Sequence, residues 1–193
     1  MKRIDTKQRQ TQKNRRGIAI LWLVIWGSFF LTFFCAVLEL ATLWEAQVEL
    51  NDALDSAALA AVCEWNSMRN LSNYSTEIPR EVGVDYAAAN TVLGVPVPLD
   101  SNYNSGNTPN ENGSCAGNLI FGDLITSGSV YEFNAGSTGN LLAVRVQATV
   151  PLNGFCTAMF GASFFDVSAS SIAYYDTLEG KPRLVSISAY TCN

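Results

Sequence analysis

Between Arg16 and Glu39 lie 22 consecutive residues without a charge, Gly17 to Leu38, reading GIAILWLVIWGSFFLTFFCAVL. At a rise of about 1.5 Å per residue, a helix of this length covers roughly 33 Å, against a bilayer hydrocarbon core of about 30 Å. The core of a soluble domain seldom needs so long an apolar run, and the segment reads as a transmembrane helix. A cleaved signal peptide does not fit, because the run is too long and no small-x-small site follows it closely. Phe34 before Cys35 also departs from a lipoprotein signal, which needs a small residue there.

The flanks give the orientation. The first sixteen residues hold seven basic side chains (Lys2, Arg3, Lys7, Arg9, Lys13, Arg15 and Arg16) against Asp5 alone, a net charge of +6. The remainder carries five basic and sixteen acidic residues, net −11. The positive-inside rule puts the N-terminus in the cytoplasm and the acidic part across the membrane. So acidic a domain lacks the basic face that phosphate contacts need, which excludes nucleic acid as a partner. Trp22 and Trp26 toward the cytoplasmic half, and Trp44 past the far end, suit interfacial anchoring or packing on a neighbouring helix.

Helical character continues beyond Leu38. The stretch ELATLWEAQVELNDALDSAALAAVCEW has neither Pro nor Gly and is rich in Ala, Leu and Glu. Leu40, Leu43, Leu50, Leu54, Ala57 and Ala61 recur at helical spacing, while Glu45, Glu49, Asp52 and Asp55 lie mostly opposite. One helix from Gly17 to about Trp65 is predicted. Its small residues, Ala53, Ala57 and Ala61 among them, allow close approach either by the domain's own sheet or by equivalent helices of other subunits. Glu39, Leu43, Leu50, Ala53, Ala57 and Ala61 are therefore the candidate subunit-packing positions. Glu39 itself is either a headgroup-level acid in water or the partner of a basic group on a neighbouring subunit.

The rest reads as α+β. A short helix is expected over Arg80 to Leu93, then a loop rich in Asn, Ser, Gly and Pro from Val95 to Gly117. Strands are expected over 118–125, 129–133, 141–151, 167–176 and 183–190, with a short helix or turn at 155–161. LLAVRVQATVP shows the clearest alternation, Val144, Val146, Ala148 and Val150 against Arg145, Gln147 and Thr149. The predicted organisation is a cytoplasmic tail (1–16), a transmembrane helix (17–38), an amphipathic extension (39–65) and an extracytoplasmic domain (66–193). In that domain a C-terminal antiparallel sheet packs on the outer part of the long helix.

Site chemistry is sparse. The chain contains no His, the commonest general base and transition-metal ligand. It has no G-x-S-x-G, no P-loop and no dinucleotide fingerprint. No catalytic, cofactor-binding or metal residues are predicted, and the chain is not read as an enzyme. Cys63, Cys115, Cys156 and Cys192 are disulfide candidates, with three possible pairings; free thiols and a metal site are the alternatives. In DSNYNSGNTPNE, Asp100 to Glu111, the residues Asp100, Asn102, Asn104 and Glu111 occupy positions 1, 3, 5 and 12 of a calcium loop. Ser105 stands where that loop needs Gly, so a polar surface loop is the competing reading.

The start RRGIAILW, followed by FCAVLELATLWEAQVELNDALDSAALAAV, resembles the N-terminal signature of the TadE/TadG-like proteins of the tight-adherence (Flp) pilus assembly system. DYAAAN, the segment from Phe121-Gly122-Asp123 to AVRVQATVP, the turn FCTAMFG and the strand VSASSIAYY resemble later features of the same family. The resemblance implies a minor pilin-like or pilus-assembly subunit, held in a bacterial inner membrane with a periplasmic or surface domain. Its partners would be the membrane and other pilus or secretion-system subunits. A ligand-binding or adhesive ectodomain is the alternative. Pilins cleaved by prepilin peptidase carry Gly at the cleavage point and Glu five residues on. Here Gly17 is present but Trp22 stands at the fifth position, so no cleavage is expected and the helix keeps its basic tail.

Overall fold

The computed structural model describes residues 5–69, 75–103, 115–128, 130–139, 141–152 and 165–192. Helix α1 runs Asp5–Met68, α2 Glu77–Ala89. Eight strands follow: β1 Thr91–Val92, β2 Val95–Pro96, β3 Leu119–Ser127, β4 Val130–Ala135, β5 Leu142–Pro151, β6 Asp166–Asp176, β7 Lys181–Leu184 and β8 Ala189–Cys192. The chain divides into two units, and the division falls inside α1 between Thr42 and Leu43.

In the first unit α1 is apolar and open. Its large side chains from Ile18 to Phe34 are exposed. The few hydroxyls close on the helix itself: Ser28 Oγ donates to the Val24 carbonyl at 2.8 Å, Thr32 Oγ1 to Ser28 at 2.9 Å and Thr42 Oγ1 to Leu38 at 2.9 Å. Such back-bonding leaves no hydroxyl seeking water, as an apolar surrounding requires.

In the second unit α1 packs on one face of a six-stranded sheet of order β7-β6-β5-β3-β4-β8. Ala46, Leu50, Ala53, Leu54, Ala57, Ala58, Ala61, Val62 and Trp65 are all fully buried, in one core with Leu119, Phe121, Val144, Val146 and Ala173. Alternation along β5 sends Val144, Val146, Ala148 and Val150 to this face, as the sequence predicts. Trp65 meets Phe121 edge-on at 4.9 Å.

Helix α2 closes the other side of the alanine stretch. A Cβ at Gly83 would stand 3.3 Å from Ala61 Cβ and 2.6 Å from Leu119 Cδ2, so the glycine is what lets α2 come this near. The observed span, Glu77–Ala89, is shifted from the expected Arg80 to Leu93. Pro79 is tolerated in a first helical turn, and Asn90, with ψ 139°, leads the chain into extended backbone.

A two-stranded hairpin, β1–β2, follows where the sequence suggested helix end and loop. Its turn places Leu93 at φ +50° and Gly94 at φ +79°. A positive φ is unfavourable for leucine, whose side chain crowds the backbone there. Glu49 on α1 accepts the Leu93 N–H at 2.6 Å and holds the turn down.

The sheet is antiparallel except for β4 and β8, which pair in parallel. The expected single strand 183–190 is two strands at opposite edges. Only residues 185–188 join them. Across a flat sheet five inter-strand steps of about 4.8 Å would need about 24 Å. The connection from Leu184 to Ala189 spans at most about 17 Å. The sheet therefore curls around its second face, and the ring of Tyr131 on β4 stacks on that of Tyr174 on β6 at 6.1 Å. Ile120, Phe133, Ala143 and Ile172 form a smaller core there, under Val185, Ile187 and Tyr190. Gly122 sits beneath the β4 backbone, where any Cβ would collide with the Asn134 carbonyl.

Candidate assembly surface on the N-terminal helix

The sequence proposed six subunit-packing positions, and the structure uses five of them elsewhere. Leu50, Ala53, Ala57 and Ala61 have no exposed surface, and Leu43 is partly buried against the same core. Their partners are the sheet and α2 of their own chain, so they are not open to a second subunit. The spacing marks a packing face, which the sheet and α2, with its glycine at position 83, fill. Glu39 is 8% exposed, covered within this one chain; it is not an acid in open water.

A different stripe stays open. Trp22, Trp26, Phe29, Phe33, Val37, Leu40, Trp44 and Val48 follow one another at intervals of three and four residues. At about 100° per residue the six from Trp22 to Leu40, in the first unit, stay within an arc of about 80° on the helix, and Trp44 and Val48 belong to the second unit. Every one of them is exposed; Leu40 is at 66% and Trp44 at 77%. Their rings and those beside them also contact one another: Trp26 lies 5.8 Å from both Phe29 and Phe30. By length and composition this helix is long and apolar enough to cross a membrane. In the second unit Trp44 and Val48, beyond Glu39 and beside the exposed Glu45, are exposed as well. This seam was legible as spacing, but the sequence alone could not tell it from the buried face two positions round the helix.

Cys115 is disulfide-bonded. Cys63, expected to take part in such a bond, is a free thiol on the exposed side of α1, because its helical position turns it away from the sheet. Cys35 is also free, and buried. Cys156 and the side chain of Cys192 lie outside the described residues. So do Asn104 and Glu111 of the calcium-type loop. Of its other members, Asp100 Oδ1 accepts the Asn102 N–H at 3.1 Å and Asn102 Oδ1 accepts the Asn118 N–H at 2.8 Å. The Asp100 oxygen closes a turn within the segment, and the Asn102 oxygen ties it to Asn118, just before β3. Among the described residues, no group of three or more His, Cys, Asp or Glu is placed to hold a metal ion.

The five basic residues beyond the tail are distributed unevenly. Arg80 is buried and donates to Thr76 Oγ1 and to the carbonyls of Ser101 and Leu119, with its guanidinium 4.6 Å from the centre of the Phe121 ring. Arg69 donates to the Gly139 carbonyl at 3.5 Å. Lys181 and Arg183 both pair with Glu179 at the β6–β7 turn, and Arg183 reaches Asp176 as well. Hydrogen bonds from Lys181 and then Arg183 lower the Glu179 pKa, and the bond to Glu179 raises that of Arg183. Arg145 is held 4.3 Å above the Tyr190 ring. Burial pushes the Tyr190 hydroxyl up, while the Arg145 charge pulls it the other way. The Tyr174 hydroxyl is also raised, first by burial and then by Tyr131.

No protein-family model, curated protein or solved structure matches the chain.

Proposed function

We propose that this chain is a membrane-anchored structural subunit of a tight-adherence (Flp) type IV pilus or a related secretion machine, of the TadE/TadG-like kind. It works by protein–protein assembly through its N-terminal helix, with the tail in the cytoplasm and the sheet domain in the periplasm or at the cell surface. The observation that carries this reading is the exposure of large apolar side chains on α1, from Trp22 to Leu40 in the first unit and at Trp44 and Val48 in the second. Exposed large side chains at helical spacing need either lipid or a partner, and Trp44 and Val48 extend past the stretch that lipid tails would cover. A second helix laid along the seam would bury them.

The basic tail supports the orientation, and the Trp22 departure supports an uncleaved anchor. The test is to tag the C-terminus, fractionate cells and determine the N-terminal sequence of the mature chain by mass spectrometry. Full-length protein in the inner membrane, with its domain open to periplasmic protease, is the expected result. A mature form beginning at Ile18 in sheared surface fibres would replace the anchored subunit with a processed, polymer-forming one.

A further inference from the structure

The curled sheet leaves its second face half covered. Toward β4 and β8 that face is apolar and lies under the segment from Val185 to Tyr190. Toward the start of β6 it is polar and open. There β5 contributes Arg145, Gln147 and Thr149, and β6 contributes Ser168 and Ser170; register pairs Gln147 with Ser170 and Thr149 with Ser168. With Asn118 these side chains line a groove of about 610 Å³, within the usual size range of ligand sites.

Arg145 is the unusual member. Four of the five basic residues beyond the tail are engaged by carboxylates or carbonyls, as described above. Among the described residues, the Arg145 guanidinium makes no hydrogen bond and no ion pair; its Nε is buried without a partner. Its guanidinium carbon lies 4.3 Å from the centre of the Tyr190 ring, a contact that restricts the side chain before any ligand binds. Polar groups continue from it along the groove: Gln147 Nε2 donates to the carbonyls of Cys115 and Gly117, and further along β5 Thr149 Oγ1 and Ser168 Oγ lie 2.8 Å apart. A guanidinium that lines a polar groove and makes no hydrogen bond or ion pair among the described residues is suited to the planar fork of a carboxylate.

We infer that this groove binds a carboxylate side chain of an extended acidic segment from a partner protein, with Arg145 as the anchoring cation. The groove follows two adjacent strands, along which side chains repeat every second residue, as they do along an extended peptide. Among the described lining residues there is no aromatic ring of the kind on which a sugar would stack, and one cation alone is a poor match for a phosphate. The net charge of −11 beyond the tail repels acidic peptides at long range, so saturable binding would report the local site. The inference does not depend on the pilus reading.

The test uses the full chain in detergent micelles and a capped triglutamate peptide, followed by amide chemical shifts. Triglutamate should bind saturably, shifting Thr149, Ser168 and Ser170, and capped triglutamine should not. Arg145→Gln should weaken the affinity about tenfold or more, the usual loss for a charge-assisted pair. Ser170→Trp, at an exposed position, should block the groove with Arg145 intact, and it decides the matter if Arg145→Gln fails to fold. Absence of binding, equal binding of triglutamine, or full affinity in the variants that fold would overturn the inference. So would Arg145-dependent binding of inorganic phosphate with none of triglutamate, which would make this a phosphate site.

Discussion

The two halves of α1 differ in what becomes of their large apolar side chains: exposed in the first, buried among alanines in the second. Before Val48, the tryptophans, the phenylalanines and most leucines stand exposed; beyond it, Ala53, Ala57, Ala58 and Ala61 are buried completely together with Leu50, Leu54 and Trp65. Side-chain size follows what each half must touch. A helix facing lipid or a second helix gains from large apolar surface. A helix facing a sheet and another helix at close range gains from small residues that bring backbones together. Apolar spacing alone marks both halves as packing surfaces, and only side-chain volume and the presence of α2 tell them apart.

Substitutions in the buried half should give the largest effects. Leu50→Ala removes a fully buried side chain and should cost about 2–5 kcal/mol, read from urea unfolding of the full chain in micelles. Gly83→Ala forces a Cβ against Leu119 and should cost about 1–3 kcal/mol, partly rescued by Leu119→Ala in the double variant. Losing that rescue would mean that α2 does not approach β3 at Leu119 as described. Glu49→Ala removes the acceptor of the Leu93 N–H and should cost about 1–2 kcal/mol. Trp44→Ala in the exposed half should change stability by less than about 0.5 kcal/mol while weakening assembly.

A smaller effect concerns the second face of the sheet. The pKa values of Tyr190 and Tyr174 are raised in the folded chain, so their neutral forms are favoured there. Their contribution is complete below the ordinary tyrosine pKa of about 10 and is lost as pH rises through the folded values. Alkaline titration followed at the tyrosinate absorption band should show late ionisation, and Tyr190→Phe should remove part of it.

Much of this was legible in the sequence because the signals were strong. The absence of charge from Gly17 to Leu38 and the alternation along β5 each rest on a single physical rule. What was not legible depended on distant partners. The period-2 pattern of Arg183 to Tyr190 is real, yet it serves two edges of a curled sheet, since Val185 bonds to Ile172 and Ser188 to Tyr131. The β1–β2 hairpin was hidden because leucine at a positive φ is not a turn signal; a glutamate on another element sustains it. The polar alternation of Arg145, Gln147 and Thr149 was visible, but the groove appears only when register sets Ser168 and Ser170 beside it. Cys63 counted as a disulfide candidate because cysteine number says nothing of which helix face a thiol occupies.

The central claim is that the exposed seam meets another protein. The most direct test places a photo-crosslinking amino acid at Leu40, Trp44 or Val48 in cells, with Asp52 and Ala60 as off-seam controls. The account predicts protein adducts from the three seam positions and few from the controls. Seam positions that yield only lipid adducts, or controls that crosslink equally well, would contradict it.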